Sequence, residues 1–148
     1  MEILKDFFRN QVLWTCVLSW FVAQALKILF TLFMERRLDL MRIVGLGGMP
    51  SSHSAVVCAL ATATGRVLGF DSVEFAICAM FAMVVMTDAA GVRRAAGKQA
   101  RQINRIVEDM IQSGHGLTYE TMKELLGHSP FEVAVGAALG VLIAWIVL

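Results

Sequence analysis

Four apolar stretches, each close to the length of a transmembrane helix, dominate this chain of 148 residues. A helix that crosses a bilayer needs about 20 predominantly apolar residues, because no water is available there to satisfy exposed backbone groups. Hydrophobic side chains make up 57% of the sequence, and many of the charged residues cluster in two connecting loops. The apolar stretches cover residues 12–34, 54–70, 72–92 and 129–148.

We therefore expect an all-α protein, a compact polytopic membrane helix bundle with about four transmembrane helices. It would form a single integral-membrane domain over residues 1–148. A soluble four-helix core is the alternative, but the charges are too few and too clustered to cover its surface. Small residues at helix-packing spacing, among them Gly136 and Gly140, favour close helix contacts within the bundle. Homo-oligomerisation through the same glycine face stays open.

The charge pattern is more informative about topology than about partners. Thirteen basic and twelve acidic residues give a net charge of +1, so no nucleic-acid partner is expected. Nine of the basic residues lie in the first and third loops, on one side of a four-span topology. The positive-inside rule predicts that this side is cytoplasmic. We expect an integral protein of a bacterial inner membrane or of an organellar membrane.

The sequence from residue 93 to residue 128, between the third and fourth apolar stretches, is too long for a simple turn. Its pattern predicts an amphipathic interfacial helix that ends near Ser113, followed by a short helix over residues 118–126. Two interpretations of its basic arc stay open. The arc is either a solvated face on a helix that lies on the membrane, or its beginning faces an anionic ligand. The apolar stripe comprises Ile103, Ile106, Val107, Met110 and Ile111, and the opposite basic arc comprises Arg94, Lys98, Arg101 and Arg105.

The segment Gly48-Met-Pro-Ser-Ser-His-Ser54 introduces the second apolar stretch. Serines are good helix N-caps, and the first turn of a helix presents free N–H groups that favour an anion. His53 would project from that turn, close to Ser51 and Ser52. A capping loop with an incidental histidine is the simpler interpretation of this segment taken alone.

His128 precedes the fourth apolar stretch, and Glu132 follows it by four residues. At this spacing on a helix a carboxylate can accept a hydrogen bond from one imidazole nitrogen and leave the other free to act as a nucleophile. The alternative is an interfacial His–Glu pair that only caps the helix. Two histidines that face one pocket would suit phosphoryl transfer, because one can attack phosphorus while the other protonates the leaving oxygen.

Three further polar residues lie inside apolar stretches. Lys27 and Gln24 share one face of the first stretch, and Asp88 lies near the end of the third. An intramembrane charge usually faces a partner or a cavity, so Asp88 is expected to pair with Lys27, Arg93 or Arg94. Snorkelling to the interface is the alternative for Lys27. A metal site is not expected, because the spacing of the histidines and carboxylates matches no familiar zinc motif.

Taken together, these segments resemble the type 2 phosphatidic acid phosphatase family, which shares its site with bacterial acid phosphatases and vanadium haloperoxidases. The similarity is to a divergent branch of small membrane proteins and runs from about residue 24 to residue 140. The segments that carry it are MPSSHS at 49–54, DAAGVRRAAG at 88–97 and LGHSPFEV at 126–133.

The resemblance implies a role for each matched residue. His128 would be the nucleophile, Glu132 its orienting partner and His53 the acid that protonates the leaving group. The phosphate would be held by Ser51, Ser52 and basic side chains. The usual arginine of the last motif is replaced by Met122, and the resemblance therefore implies that Arg93 or Arg94 supplies this charge, while Lys27 echoes the lysine of the family's first motif. In the mechanism that we expect, Lys98 from the basic arc would also hold phosphoryl oxygens.

The sequence as a whole predicts a metal-independent phosphohydrolase that uses no cofactor. It would act on a lipid phosphate or pyrophosphate in the bilayer, through a phosphohistidine intermediate. The alternative is a non-catalytic membrane protein that binds or moves anionic phospholipids with an inherited phosphate pocket. A helix-packing subunit of a larger complex is the third interpretation.

Overall fold

The computed structural model describes residues 2–35, 48–113 and 127–148, and within them the protein is helical without any strand. A short helix at the N-terminus is followed by four long apolar helices, with one polar helix inserted before the last. The six helices are α1 (Glu2–Arg9), α2 (Gln11–Glu35), α3 (Ser52–Leu68), α4 (Val73–Ala90), α5 (Val92–Gln112) and α6 (Pro130–Val147).

Three helical runs are long and apolar enough to cross a membrane, namely Gln11–Phe33, Val73–Gln112 and Pro130–Val147. The second run contains α4 and continues through Gly91 into the polar α5. The fourth apolar helix, α3, has 17 residues and is therefore about 25 Å long, somewhat shorter than the hydrocarbon layer. The expectation of an all-α membrane protein is confirmed, with three full-length candidate spans and one shorter helix.

Serine side chains fix where three of the helices begin. Ser51 caps α3 and Ser72 caps α4, each by accepting a hydrogen bond from a backbone N–H in the first turn. Ser129 caps α6 in a reciprocal capping box with Glu132, and Pro130 occupies the first turn, where a missing N–H costs nothing. These caps set the axial positions of the residues on either side of each helix start.

Helix α3 is the centre of the bundle and packs against α2, α4 and α6. Its contact with α6 is very close, since a Cβ atom on Gly136 would collide with the backbone of Ser51, and one on Gly140 with that of Ala55. The two helices run parallel, because Gly136 faces the start of α3 while Trp145 lies beside Arg66 near its end. The glycine face therefore packs inside the bundle, as the spacing predicts.

Helix α5 covers the expected amphipathic segment and ends at Gln112, with Ser113 at its C-cap. Gly97 and Ala100 are buried, whereas Ile103 and Ile106 are exposed. The short helix expected at 118–126 lies outside the described residues.

Candidate functional site

The parallel packing of α3 and α6 brings the two histidines together. His53 is in the first turn of α3, and His128 lies two residues before α6. Their ring centroids are 6.2 Å apart with an interplanar angle of 61°. The two helix starts are joined directly, because the backbone N–H of Ser51 donates to the carbonyl oxygen of Glu132 at 3.2 Å. The site therefore lies where two helix N-termini meet.

His128 is held by a local network that the chain builds around its own helix start. Its Nδ1 atom lies 3.2 Å from Oε2 of Glu132, and the same oxygen accepts from the backbone N–H of Ser129 at 3.0 Å. Ser129 Oγ in turn accepts from the backbone N–H of Glu132 at 3.3 Å. With Nδ1 directed at the carboxylate, the imidazole presents Nε2 as its second nitrogen. The predicted His128–Glu132 pair is confirmed as a contact.

Burial governs the protonation of His128. The side chain is only 3% exposed, and this desolvation lowers its pKa below the ordinary histidine value, although Glu132 opposes the shift by hydrogen bond and charge. The positive charges of Lys27 and Arg93 lower the pKa further. The neutral imidazole is therefore the favoured form near neutral pH, and only the neutral form can act as a nucleophile.

The serines before His53 are buried and serve the structure of the turn. Ser51 Oγ accepts from the backbone N–H of Ser54 at 3.4 Å and from Ser54 Oγ at 3.0 Å. Ser52 is also buried, at the first helical position. The first-turn amides of Ser52 and His53 precede any intrahelical acceptor, so they are the groups that an anion would meet.

Lys27 reaches the site from α2 although it lies inside a membrane-spanning run. It is 3% exposed, and its aliphatic chain passes Gly48, where a Cβ atom would lie 3.5 Å from Lys27 Cγ. Gly48 has a φ of +89°, a conformation that other residues rarely adopt. The ammonium group interacts electrostatically with Glu132 and with both histidines. Gln24 is partly buried one turn earlier on α2.

Arg93 is the arginine of α5 that acts on the histidine pair, through its positive charge. Its Nε atom is 2.7 Å from Oδ2 of Asp88, near the end of α4, so Asp88 pairs with one of its three expected partners. One of the two interpretations of the basic arc in the sequence had Arg94 and Lys98 facing the ligand. In the structure Arg93, Arg94 and Lys98 are all exposed, and Arg93 is the one of the three that contacts Asp88.

Ser129 is a residue that the sequence reasoning missed. Its side chain completes the capping box that fixes Glu132, and thereby the imidazole of His128. The signal was present, because a serine followed three residues later by a glutamate at the start of an apolar run is a typical capping box. Met122 and the loop 36–47 lie outside the described residues. Within the described parts of the chain, no three His, Cys, Asp or Glu residues are grouped so as to hold a metal ion.

Comparisons with known proteins identify the family of this chain. The chain is 39% identical to the uncharacterized membrane protein YuiD of Bacillus subtilis (strain 168), in an alignment that covers 97% of this chain and 94% of that protein. No solved structure matches. The family model described as the divergent PAP2 family matches residues 8–143, which include every candidate site residue named above. The protein is thus an integral membrane protein that belongs to the divergent PAP2 family.

Proposed function

We propose that this protein is a membrane phosphohydrolase that hydrolyses a lipid phosphate or pyrophosphate through a phosphohistidine intermediate. The observation that carries the proposal is the buried His128, paired with Glu132 and facing His53 across 6.2 Å between ring centroids. A neutral, oriented imidazole beside a second imidazole supplies a nucleophile and a proton donor within one pocket.

The reaction would proceed in two balanced steps. Nε2 of His128 attacks phosphorus while the bond from phosphorus to the leaving oxygen breaks, and protonated His53 donates its proton to that oxygen. Water then attacks the phosphohistidine, and neutral His53 accepts a proton from the water. Inorganic phosphate leaves, His128 is regenerated, and His53 is again protonated. Glu132 holds the ring of His128 and stabilises the positive charge that develops on it.

An anion in this pocket would be held by several positive groups. Lys27 and Arg93 bring full charges, and the aligned starts of α3 and α6 bring the positive ends of two helix dipoles together with first-turn N–H groups. Because the transition state of phosphoryl transfer spreads negative charge over the equatorial oxygens, these groups would also stabilise it. Arg94 and Lys98, on the exposed face of α5, would contribute to attraction at longer range.

The depth of the site favours a lipid-borne phosphate. Lys27 precedes Phe33, the end of its span, by six residues (33 − 27), or about 9 Å of helix. At the other end of the bundle, Arg66 lies 4.4 Å above the ring of Trp145, a pairing typical of a membrane interface. His53 precedes Arg66 by 13 residues, or about 20 Å of helix. With Arg66 at one edge of a hydrocarbon layer about 30 Å thick, the pocket would lie inside the opposite edge. A phosphate attached to an acyl or prenyl chain can enter at that depth without leaving the bilayer.

The test is phosphate release by the purified protein from substrates that share a phosphoryl group but differ in their tails. We expect turnover of phosphatidic acid or of a prenyl phosphate or pyrophosphate, slow turnover of glycerol phosphate, inhibition by vanadate and activity in EDTA. The His128→Ala variant serves as the inactive control. A folded protein that binds lipid phosphates but releases no phosphate would contradict hydrolysis and favour the lipid-binding alternative.

A further inference from the structure

The contact between Arg93 and Asp88 has a specific chemical form. Asp88 binds the Nε atom of the guanidinium, with 2.7 Å between Nε and Oδ2. A guanidinium has five N–H donors in a planar fork, and four of them are on the two Nη atoms. When Nε is held by a carboxylate, both Nη atoms remain available for a planar, bidentate contact with two oxygens of one phosphoryl group.

We infer that Asp88 is a positioning residue which, through Nε, directs the two Nη atoms of Arg93 at the phosphoryl oxygens of the bound ligand. This inference rests on the proposed function, which supplies the phosphoryl group as the ligand. It assigns Arg93 as the arginine that binds this group. Arg93 is the binding residue, and Asp88 acts only through it.

The faces of α5 support this assignment. Gly97 and Ala100 are the buried residues of this helix, and Arg93 precedes them by four and seven residues. Residues at these spacings share a helix face, so Arg93 lies in line with the buried stripe of α5, although its side chain is 47% exposed and that of Asp88 is 42% exposed. The helical period turns Arg94 by about 100° and Lys98 by about 140° around α5 from Arg93, and both are exposed.

The backbone at Arg93 is fixed by the segment that carries the nucleophile. A Cβ atom on Gly127 would collide with the backbone of Arg93 and Arg94, so the chain just before His128 packs directly on the first turn of α5. The side chain of Arg93 is thus held by α4 through Asp88, and its backbone is held by Gly127. Two contacts from different elements define where the guanidinium points.

Two physical effects of Asp88 have opposite signs, which makes the inference testable. A carboxylate beside an anion site repels the anion, so removing Asp88 would strengthen phosphate binding if only charge mattered. If Asp88 orients Arg93, its removal would weaken binding, because a freed guanidinium loses entropy when it is fixed by the ligand. A fall in phosphate affinity on removal of Asp88 therefore indicates a positioning role, and a rise indicates that Asp88 acts only through its charge.

The experiment measures binding of inorganic phosphate to the full-length protein by equilibrium dialysis in detergent. We expect Arg93→Ala to weaken binding by at least about tenfold and Asp88→Ala by about three- to tenfold, since each disturbs a charged hydrogen bond to phosphate. The double variant should bind no more weakly than Arg93→Ala alone, because Asp88 acts through Arg93. Asp71→Ala, an exposed aspartate in the turn at the opposite end of the bundle, is the matched control and should bind like the wild type.

A second variant keeps the test decisive if Asp88→Ala does not fold. Arg93→Lys retains the charge but has no fork, so it should lose nearly as much affinity as Arg93→Ala. Tighter binding by Asp88→Ala, additive losses in the double variant, or wild-type affinity in Arg93→Lys would each overturn the inference.

Phosphate binding needs no turnover, so the two proposals fail separately. A wild type that binds phosphate with the expected dependence on Asp88 but hydrolyses nothing contradicts the proposed function alone. An active enzyme whose phosphate affinity rises in Asp88→Ala contradicts the positioning role alone. A wild type that binds no phosphate overturns both.

Discussion

The two ends of the bundle use positive charge in different ways. At the end away from the site, Arg66 donates from Nη1 to the carbonyl oxygen of Trp145 at 2.9 Å and lies over its indole ring. That guanidinium is thus engaged by a carbonyl and a ring within the protein. At the site end, Lys27 and Arg93 lie around two histidines in a partly buried pocket.

Helix polarity explains the difference. Helices α3 and α6 run parallel, so their N-terminal N–H groups gather at one end and their C-terminal carbonyls at the other. A carbonyl end favours a cation, and Arg66 satisfies one of the last carbonyls of α6. An N–H end favours an anion, and the protein adds basic side chains there. One pair of parallel helices therefore creates an end where Arg66 is anchored and an end whose free N–H groups favour an anion.

The largest expected effect comes from the site end. His128→Ala should abolish turnover and eliminate any phosphoenzyme, because no other nucleophile lies beside Glu132 in the described site. Acid-labile phosphoprotein and phosphate release measure the two consequences. His115→Ala, which removes the third histidine of the sequence, is the control. Undiminished hydrolysis by His128→Ala would end the assignment of the nucleophile.

His53→Ala should have the next largest effect. Loss of a general acid slows departure of a poor leaving group by roughly 10²–10⁴-fold. The loss should be much smaller with p-nitrophenyl phosphate, whose leaving group needs little protonation. Turnover of both substrates by the same preparation measures the ratio. An equal loss on both substrates would indicate that His53 has a binding or structural role.

At the opposite end, Arg66→Ala should affect stability without affecting chemistry. The hydrogen bond and the cation–π contact with Trp145 together are worth about 1–2 kcal/mol, and they lie at the opposite end of α3 and α6 from the histidine pair. Thermal unfolding in detergent should show a lower Tm, whereas Arg105→Ala on the exposed face of α5 should not. A large loss of turnover by folded Arg66→Ala would contradict the separation of the two ends.

The smallest expected effect is a shift of the pH profile. Burial lowers the pKa of His128, and Glu132 partly offsets this by favouring the protonated ring. The neutral ring of His128 reacts, so the acid limb of the activity should lie below the ordinary histidine pKa of about 6.5, separate from the basic limb that loss of the His53 proton sets. Glu132→Gln removes the negative charge that opposes the fall in the pKa of His128, so the acid limb of kcat/KM should move to lower pH. The maximal kcat/KM should also fall, because the imidazole ring is held less well. A shift to higher pH would contradict the described electrostatics.

Local patterns predicted much of what lies within single elements. The four apolar helices were predicted by their length and composition, and α5 by its amphipathic period. The contact between His128 and Glu132 was also predictable, since residues four apart at a helix start lie on one face. These features depend on short-range geometry, which the backbone fixes once a segment is helical.

The choice between Arg93 and Arg94 was not predictable in this way. The two side chains differ by about 100° around α5, and the helical period alone does not state which face meets the protein. That face is set by buried Gly97 and Ala100 and by the contact of Gly127 with the start of α5. The basic arc seen in the sequence, from Arg94 to Arg105, lies on exposed positions of α5.

The sequence by itself determined the membrane environment, the helices and the histidine-bearing segments, because each follows from hydropathy or from patterns within a few residues. Only the tertiary structure decided that α3 and α6 lie parallel in close contact at Gly136 and Gly140, and that His53 faces His128. These contacts join residues that are distant along the chain, so they depend on how the helices pack, which no single segment encodes.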